Sequence, residues 1–142
     1  MADKYTDEEM KIISSKVIGY LDDWKVSSEE ILSILGVADL KPRHLPQYRN
    51  KDKAFARSDD ILQRIDHVAG IVVALRTTFP HSDTMRLRWL RQPHRRFRKK
   101  TPLAVILDGG VNGLLKVRVE VDCAYGYAIN DAMAAASAKN RL

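Results

Sequence analysis

The chain has 142 residues, 45% of them apolar, and carries 24 Lys or Arg against 18 Asp or Glu for a net charge of +6. That length holds one domain or two small lobes, and no apolar run approaches the ~20 residues a membrane span needs. A single cysteine, Cys123, excludes an internal disulfide, and its neighbours Asp122 and Ala124 offer nothing to activate a thiol.

The opening, MADKYTDEEM, is acidic and lacks the apolar core of a signal peptide, which predicts a cytoplasmic protein. Thr6 and Glu9 have the spacing of a capping box, and Met10, Ile13, Val17, Leu21 and Trp24 recur every three or four residues, predicting a helix over 6–24. Ser27 and Glu30 repeat the box, and Ile31, Ile34 and Leu35 run into Gly36, predicting a second helix of about nine residues. Two such helices resemble the opening of a helix-turn-helix unit. The next segment, ADLKPRHLPQYRN, does not continue that pattern, because Pro42 and Pro46 leave room for only a broken turn or two where a recognition helix would lie. Lys41, Arg43, His44, Gln47, Tyr48 and Arg49 remain candidates for phosphate contacts, which position a protein without reading sequence.

Ser58 caps the following segment. There Ile61, Leu62, Ile65, Val68, Ala69, Val72, Val73 and Leu75 give an apolar face too wide for a surface helix, so this is expected to be the central helix. His67 lies beside that face and is expected at its solvent edge or hydrogen-bonded. The scattered histidines, His44, His67, His81 and His94, lack metal-ligand spacing. Ser82 opens a short helix with Met85, Leu87, Trp89 and Leu90, which Pro93 closes. Thr101-Pro102 starts another, with Leu103, Ile106 and Leu107 at helical spacing, and Gly109-Gly110 stops it. Between the two lies HRRFRKK, and residues 86–100 hold eight Arg or Lys with no carboxylate, predicting a strongly positive surface that includes Arg95 and Arg96. Phe97, the one apolar ring in that loop, is expected to fold inward as its anchor.

This ordered set, Trp89, Leu90, Pro93, Phe97, Thr101, Pro102, Leu103 and Gly109, resembles the toxin-binding C-terminal domain of the Xre/MbcA/ParS-type antitoxins, over roughly residues 58–128. The resemblance implies a type II antitoxin whose partner is a RES-domain toxin, an enzyme that consumes NAD by glycohydrolase, phosphorolysis or ADP-ribosyl transfer. It further implies that the C-terminal domain occludes the toxin's active site. The residues expected to make that contact are Arg118, Tyr125, Tyr127 and Asn130 in the closing segment, with Lys139, Asn140 and Arg141 in the tail. The family also uses its N-terminal domain to bind promoter DNA.

After Gly110 the signals conflict. Leu115, Val117, Val119, Val121 and Cys123 alternate with charged residues as in a strand, and Asn112-Gly113 is a hairpin dipeptide. The resemblance implies a closing helix instead, with Leu114, Leu115, Val119, Asp122 and Cys123 on one side, and helix is the preferred reading. Residues 128–139 are alanine-rich, with high helix propensity and little area to bury.

The chain is therefore expected to be all-α: a small helical bundle with a degenerate helix-turn-helix-like part at 1–80 and a toxin-binding part of short helices at 81–142. No catalysis, metal or cofactor is expected, since the adjacent pairs Asp22-Asp23 and Asp59-Asp60 sit at helix ends and no phosphate loop or nucleophile elbow is present. Apolar area around the central helix and Trp89 predicts self-association as a dimer. The alternative to an antitoxin is a DNA-binding transcriptional regulator that acts through its basic segments alone.

Overall fold

A computed structural model describes residues 5–37 and 39–140, with side chains described as far as Cys123. Among these residues there are six α-helices and no strands: α1 Asp7–Asp23, α2 Ser28–Leu35, α3 Leu45–Arg49, α4 Asp59–Thr78, α5 Asp83–Arg91 and α6 Pro102–Asn140. The molecule is a small all-α bundle, and none of these helices is long and apolar enough to cross a membrane.

Local chemistry sets most helix ends. Thr6 and Glu9 form a reciprocal capping box at the start of α1, and Ser27 and Glu30 form one at the start of α2. Gly36 ends α2 in the left-handed region (φ 72°), where its N–H and that of Val37 both reach back to the Leu32 carbonyl. Ser58 and Ser82 cap α4 and α5 through their hydroxyls. The proline-rich segment makes a single 3-10 turn, Pro42–His44, and then the five-residue α3, in which Pro46 lies in the first turn and costs no hydrogen bond.

Helix α3 packs on α1, and α4 runs through the middle of the molecule against α6. One apolar cluster extends from Val17 on α1 to Val121 on α6, with Ile18, Leu21, Ile31, Leu35, Leu45, Val68, Ile71, Leu114 and Val117 all fully enclosed. Buried Ser14 joins the loop before α4 to α1: its hydroxyl donates to the Met10 carbonyl (2.6 Å) and accepts from the Phe55 N–H (3.0 Å). Val73 departs from the expected core face of α4. It is 61% exposed, because α4 is covered on the Ile71, Val72, Ala74 and Leu75 sides and Val73 lies outside that arc.

The segment from 111 onward is helical, not a hairpin strand. The helix is broken at Gly110, whose φ of 57° and ψ of −136° suit glycine alone, and it restarts at once. The break thus falls on the second glycine of the expected Gly109-Gly110 stop, and Gly109 keeps helical geometry. Gly113 has a different origin from a hairpin turn. A Cβ there would stand 2.2 Å from the Val105 carbonyl oxygen, so the two limbs of α6 approach through a position that accepts no side chain. The buried side of the second limb is also not the expected one. Leu114, Val117 and Val121 are fully enclosed at spacings of three and four, while Leu115 and Val119 are 45% and 54% exposed. The apparent alternation arose because valines occupy both the inner and the outer side of a helix.

Candidate partner-binding surface

The loop between α5 and α6 is closed on itself. The His94 N–H donates to the Lys100 carbonyl (3.0 Å), the Phe97 and Lys99 N–H groups donate to the His94 carbonyl (3.0 Å each), and a 3-10 turn covers Arg95–Phe97. Arg98 and Lys99 hold successive left-handed conformations, φ 54° and 69°, which tighten the chain enough to return it to Thr101. His94 Nε2 lies 2.9 Å from the Trp89 carbonyl, its ring stands 4.9 Å from the Trp89 ring, and Phe97 meets it edge-on at 6.2 Å. Trp89 is buried and Phe97 half-buried, so the ring stack anchors the loop as expected for Phe97. Trp89 belongs to the core and offers no apolar surface for self-association.

The sequence motif thus becomes one contiguous unit. Leu90 is buried under α5, and exposed Pro93 turns the chain out of the helix. The Thr101 hydroxyl accepts from the Ala104 N–H (3.0 Å), and buried Pro102 and Leu103 begin α6.

The eight cations of residues 86–100 do not all face solvent. Arg86 donates to the Phe79 and Pro80 carbonyls at the end of α4 and pairs with Asp83. Arg91 donates to the Trp24 and Lys25 carbonyls (2.8 and 2.6 Å) at the C-terminus of α1. Both place positive charge at the negative end of a helix. Arg88, Arg95, Arg96, Arg98, Lys99 and Lys100 remain exposed, with Arg96 paired to Glu120 and Lys100 to Asp108 at 3.4 and 3.5 Å.

Other arginines act inside the fold. Arg64 pairs with Asp60, donates to the Ser33 and Ile34 carbonyls at the end of α2, and lies so close to Gly36 that a Cβ there would come within 2.8 Å of its Nε. Arg118 runs from α6 onto α4, donating to Asp66 Oδ2 (2.9 Å) and His67 Nδ1 (3.2 Å), with its guanidinium over Gly70. Because arginine has no acceptor, His67 Nδ1 must accept and the ring is neutral with its proton on Nε2. That nitrogen is enclosed and has no hydrogen-bond partner among the described residues. His67 itself is 8% exposed, so of its two expected placements, at the solvent edge or hydrogen-bonded, it takes the second. Its enclosure and the Arg118 charge lower its pKa, against a smaller opposing effect of Asp66.

Among the residues expected to contact a toxin, Arg118 is therefore tied to α4. Tyr125, Tyr127, Asn130, Lys139 and Asn140 lie on the last stretch of α6, and their side chains fall outside the described residues, as does Arg141 altogether. Among the candidates for DNA contact, Lys41, Arg43 and Gln47 are exposed. Arg49 is held by Asp22 through two hydrogen bonds (2.9 and 3.1 Å), which raise its pKa, and its carbonyl accepts from Ser15. Tyr48 is buried and stacked on Phe55 at 4.7 Å, so it is a core residue and cannot reach a phosphate.

Comparison with known families, characterised proteins and solved structures finds no match to this chain.

What the sequence did not show was which arginines turn inward. Arg64, Arg91 and Arg118 meet their partners 30 to 67 residues away, a pairing without local pattern. The only sequence trace is a glycine, Gly36 or Gly70, at the place each of two guanidiniums must cross a backbone.

Proposed function

We propose that this chain is a type II antitoxin that binds a RES-domain toxin and covers the cleft in which that toxin consumes NAD. The observation that carries the reading is the assembly of the motif residues into one contiguous unit: His94 bridges the rings of Trp89 and Phe97, and Thr101-Pro102 launches α6 directly after them. That unit fixes the origin of a long helix whose far end carries Tyr125, Tyr127, Asn130, Lys139 and Asn140. Occlusion is the chemistry of the reading: small alanine side chains admit the helix to a cleft, and Lys139 and Arg141 set positive charge where the NAD pyrophosphate would lie.

The test is co-expression of the chain with a RES-type protein encoded beside it, with NAD consumption as the readout. The expected result is toxicity and NAD loss from the neighbour alone and rescue by the full chain. Rescue that survives deletion from Ala136 onward removes the role given to the tail. A harmless neighbour that does not associate with the chain removes the antitoxin reading.

A second activity, promoter binding, is favoured by one observation: Lys41 and Arg43 are exposed at the short turn that follows α2, and Gln47 is exposed on α3 just beyond it. With α3 only five residues long, such binding rests on phosphate contacts and falls steeply with salt. A DNA affinity that rises on one operator and barely changes with salt would contradict it.

A further inference from the structure

A groove of about 840 Å³ runs along the outer side of α6, beneath the basic loop. Its floor is apolar: Leu115 and Val119, one turn apart on α6, adjoin Val105 from the first limb and Phe97 from the loop. Its rim is predominantly basic, with Arg96, Arg98, Lys100 and Lys116 against the single lining carboxylate Asp108. Leu115 and Val119 are 45% and 54% exposed on a helix whose inner residues Leu114, Val117 and Val121 are completely enclosed. Covering the exposed half of such a pair removes apolar surface from water and is favourable.

The rim identifies the occupant. Lys100 and Arg96 already have carboxylates in Asp108 and Glu120, whereas no ion pair among the described residues reaches Arg98 or Lys116. An anionic partner is the one whose charge complements these two cations. A second copy of the same groove would set like charges against one another. Nucleic acid would satisfy the rim and leave the apolar floor without use. An amphipathic helix satisfies both, with an apolar stripe at helical spacing on Leu115 and Val119 and flanking carboxylates on Arg98 and Lys116.

We infer that this groove is a docking site for an acidic amphipathic helix of another protein. The inference does not depend on the antitoxin reading, since it uses neither the end of α6 nor any NAD-consuming partner.

The test is fluorescence anisotropy on the full chain with a labelled peptide of about five helical turns, leucines on one stripe and glutamates elsewhere. A second peptide has the same composition in an order that breaks the stripe, and a labelled DNA duplex is the third probe. The striped peptide is expected to bind at least about tenfold tighter than the scrambled one. Leu115→Ser with Val119→Ser should abolish that margin while leaving helicity and the scrambled-peptide affinity unchanged. Arg98→Glu with Lys116→Glu should weaken both peptides. Equal binding of the two peptides, no binding of either, or a margin that survives the serine pair would each overturn the proposal. So would a duplex that binds more tightly than the striped peptide and ignores the serine pair. Conversion of a dimer to a monomer by the serine pair would assign the groove to self-association instead.

Discussion

The inner face of α4 and the loop between α5 and α6 both draw on arginine, and they use it in opposite ways. Around α4, guanidiniums are consumed by the fold: Arg64 closes the end of α2, Arg86 closes the end of α4 itself, and Arg118 pins α6 to Asp66 and His67. In the loop, backbone hydrogen bonds and the Trp89–His94–Phe97 stack already hold the chain, so five cations project outward. Net charge read along a sequence therefore overstates surface charge wherever helix C-termini lie within an arginine's reach. The outward set is the part that a partner can meet.

The largest way to break that contrast is to attack the joint connecting the two regions. Gly113→Ala forces a Cβ against the Val105 carbonyl, and because the obstacle is backbone the limbs of α6 must separate. A loss of about 3 kcal/mol is expected, at the top of the overpacking range, measured by urea unfolding. Leu114→Ala, at a fully enclosed site, is expected to cost about 2–5 kcal/mol, while Leu115→Ala one residue on stays within about 0.5 kcal/mol. Equal costs at 114 and 115 would contradict the assignment of inner and outer sides to this helix.

That pair also shows where sequence reasoning reached and where it stopped. The capping boxes of α1 and α2, the serine caps of α4 and α5 and the Thr101-Pro102 start of α6 follow from contacts within four residues, so they could be read directly. The two prolines that break the segment before α4 could be read for the same reason. The side on which Leu115 and Val119 lie depends on where the first limb of α6 folds back, and that is set by the backbone angles of Gly110 and the close approach at Gly113. A glycine in sequence marks freedom without showing which way it is used. The apolar motif of the loop was legible as a unit, and the groove beside it was not, because its four floor residues come from three stretches of chain brought together only by that fold-back.

A smaller effect sharpens the inward half of the contrast. Gly36→Ala imposes a left-handed φ on an L-residue and pushes against Arg64, which in turn holds two carbonyls of α2. A loss of about 1–2 kcal/mol is expected from the backbone alone. Arg64→Met should cost about 1 kcal/mol by freeing those carbonyls. Because both variants act on one contact, their double variant should cost less than the sum of the singles. Full additivity would mean that Arg64 and Gly36 do not share a site.

The smallest expected effect concerns His67, where the inward arginines meet a titratable group. Enclosure and the Arg118 charge hold its folded pKa below the ordinary 6.5, while the unfolded chain titrates near that value. In the window between the two, the unfolded state binds more protons, so stability is intact above about pH 6.5 and declines as the pH falls through it. Protonation would also turn Nδ1 from an acceptor into a donor facing the Arg118 guanidinium, with Asp66 the carboxylate that accepts from Arg118 and partly offsets the repulsion. His67→Gln keeps an acceptor for Arg118 and removes the titration. Its unfolding free energy should therefore fall less than the parent's between pH 7 and pH 5, and parallel declines would place the acid sensitivity elsewhere in the molecule.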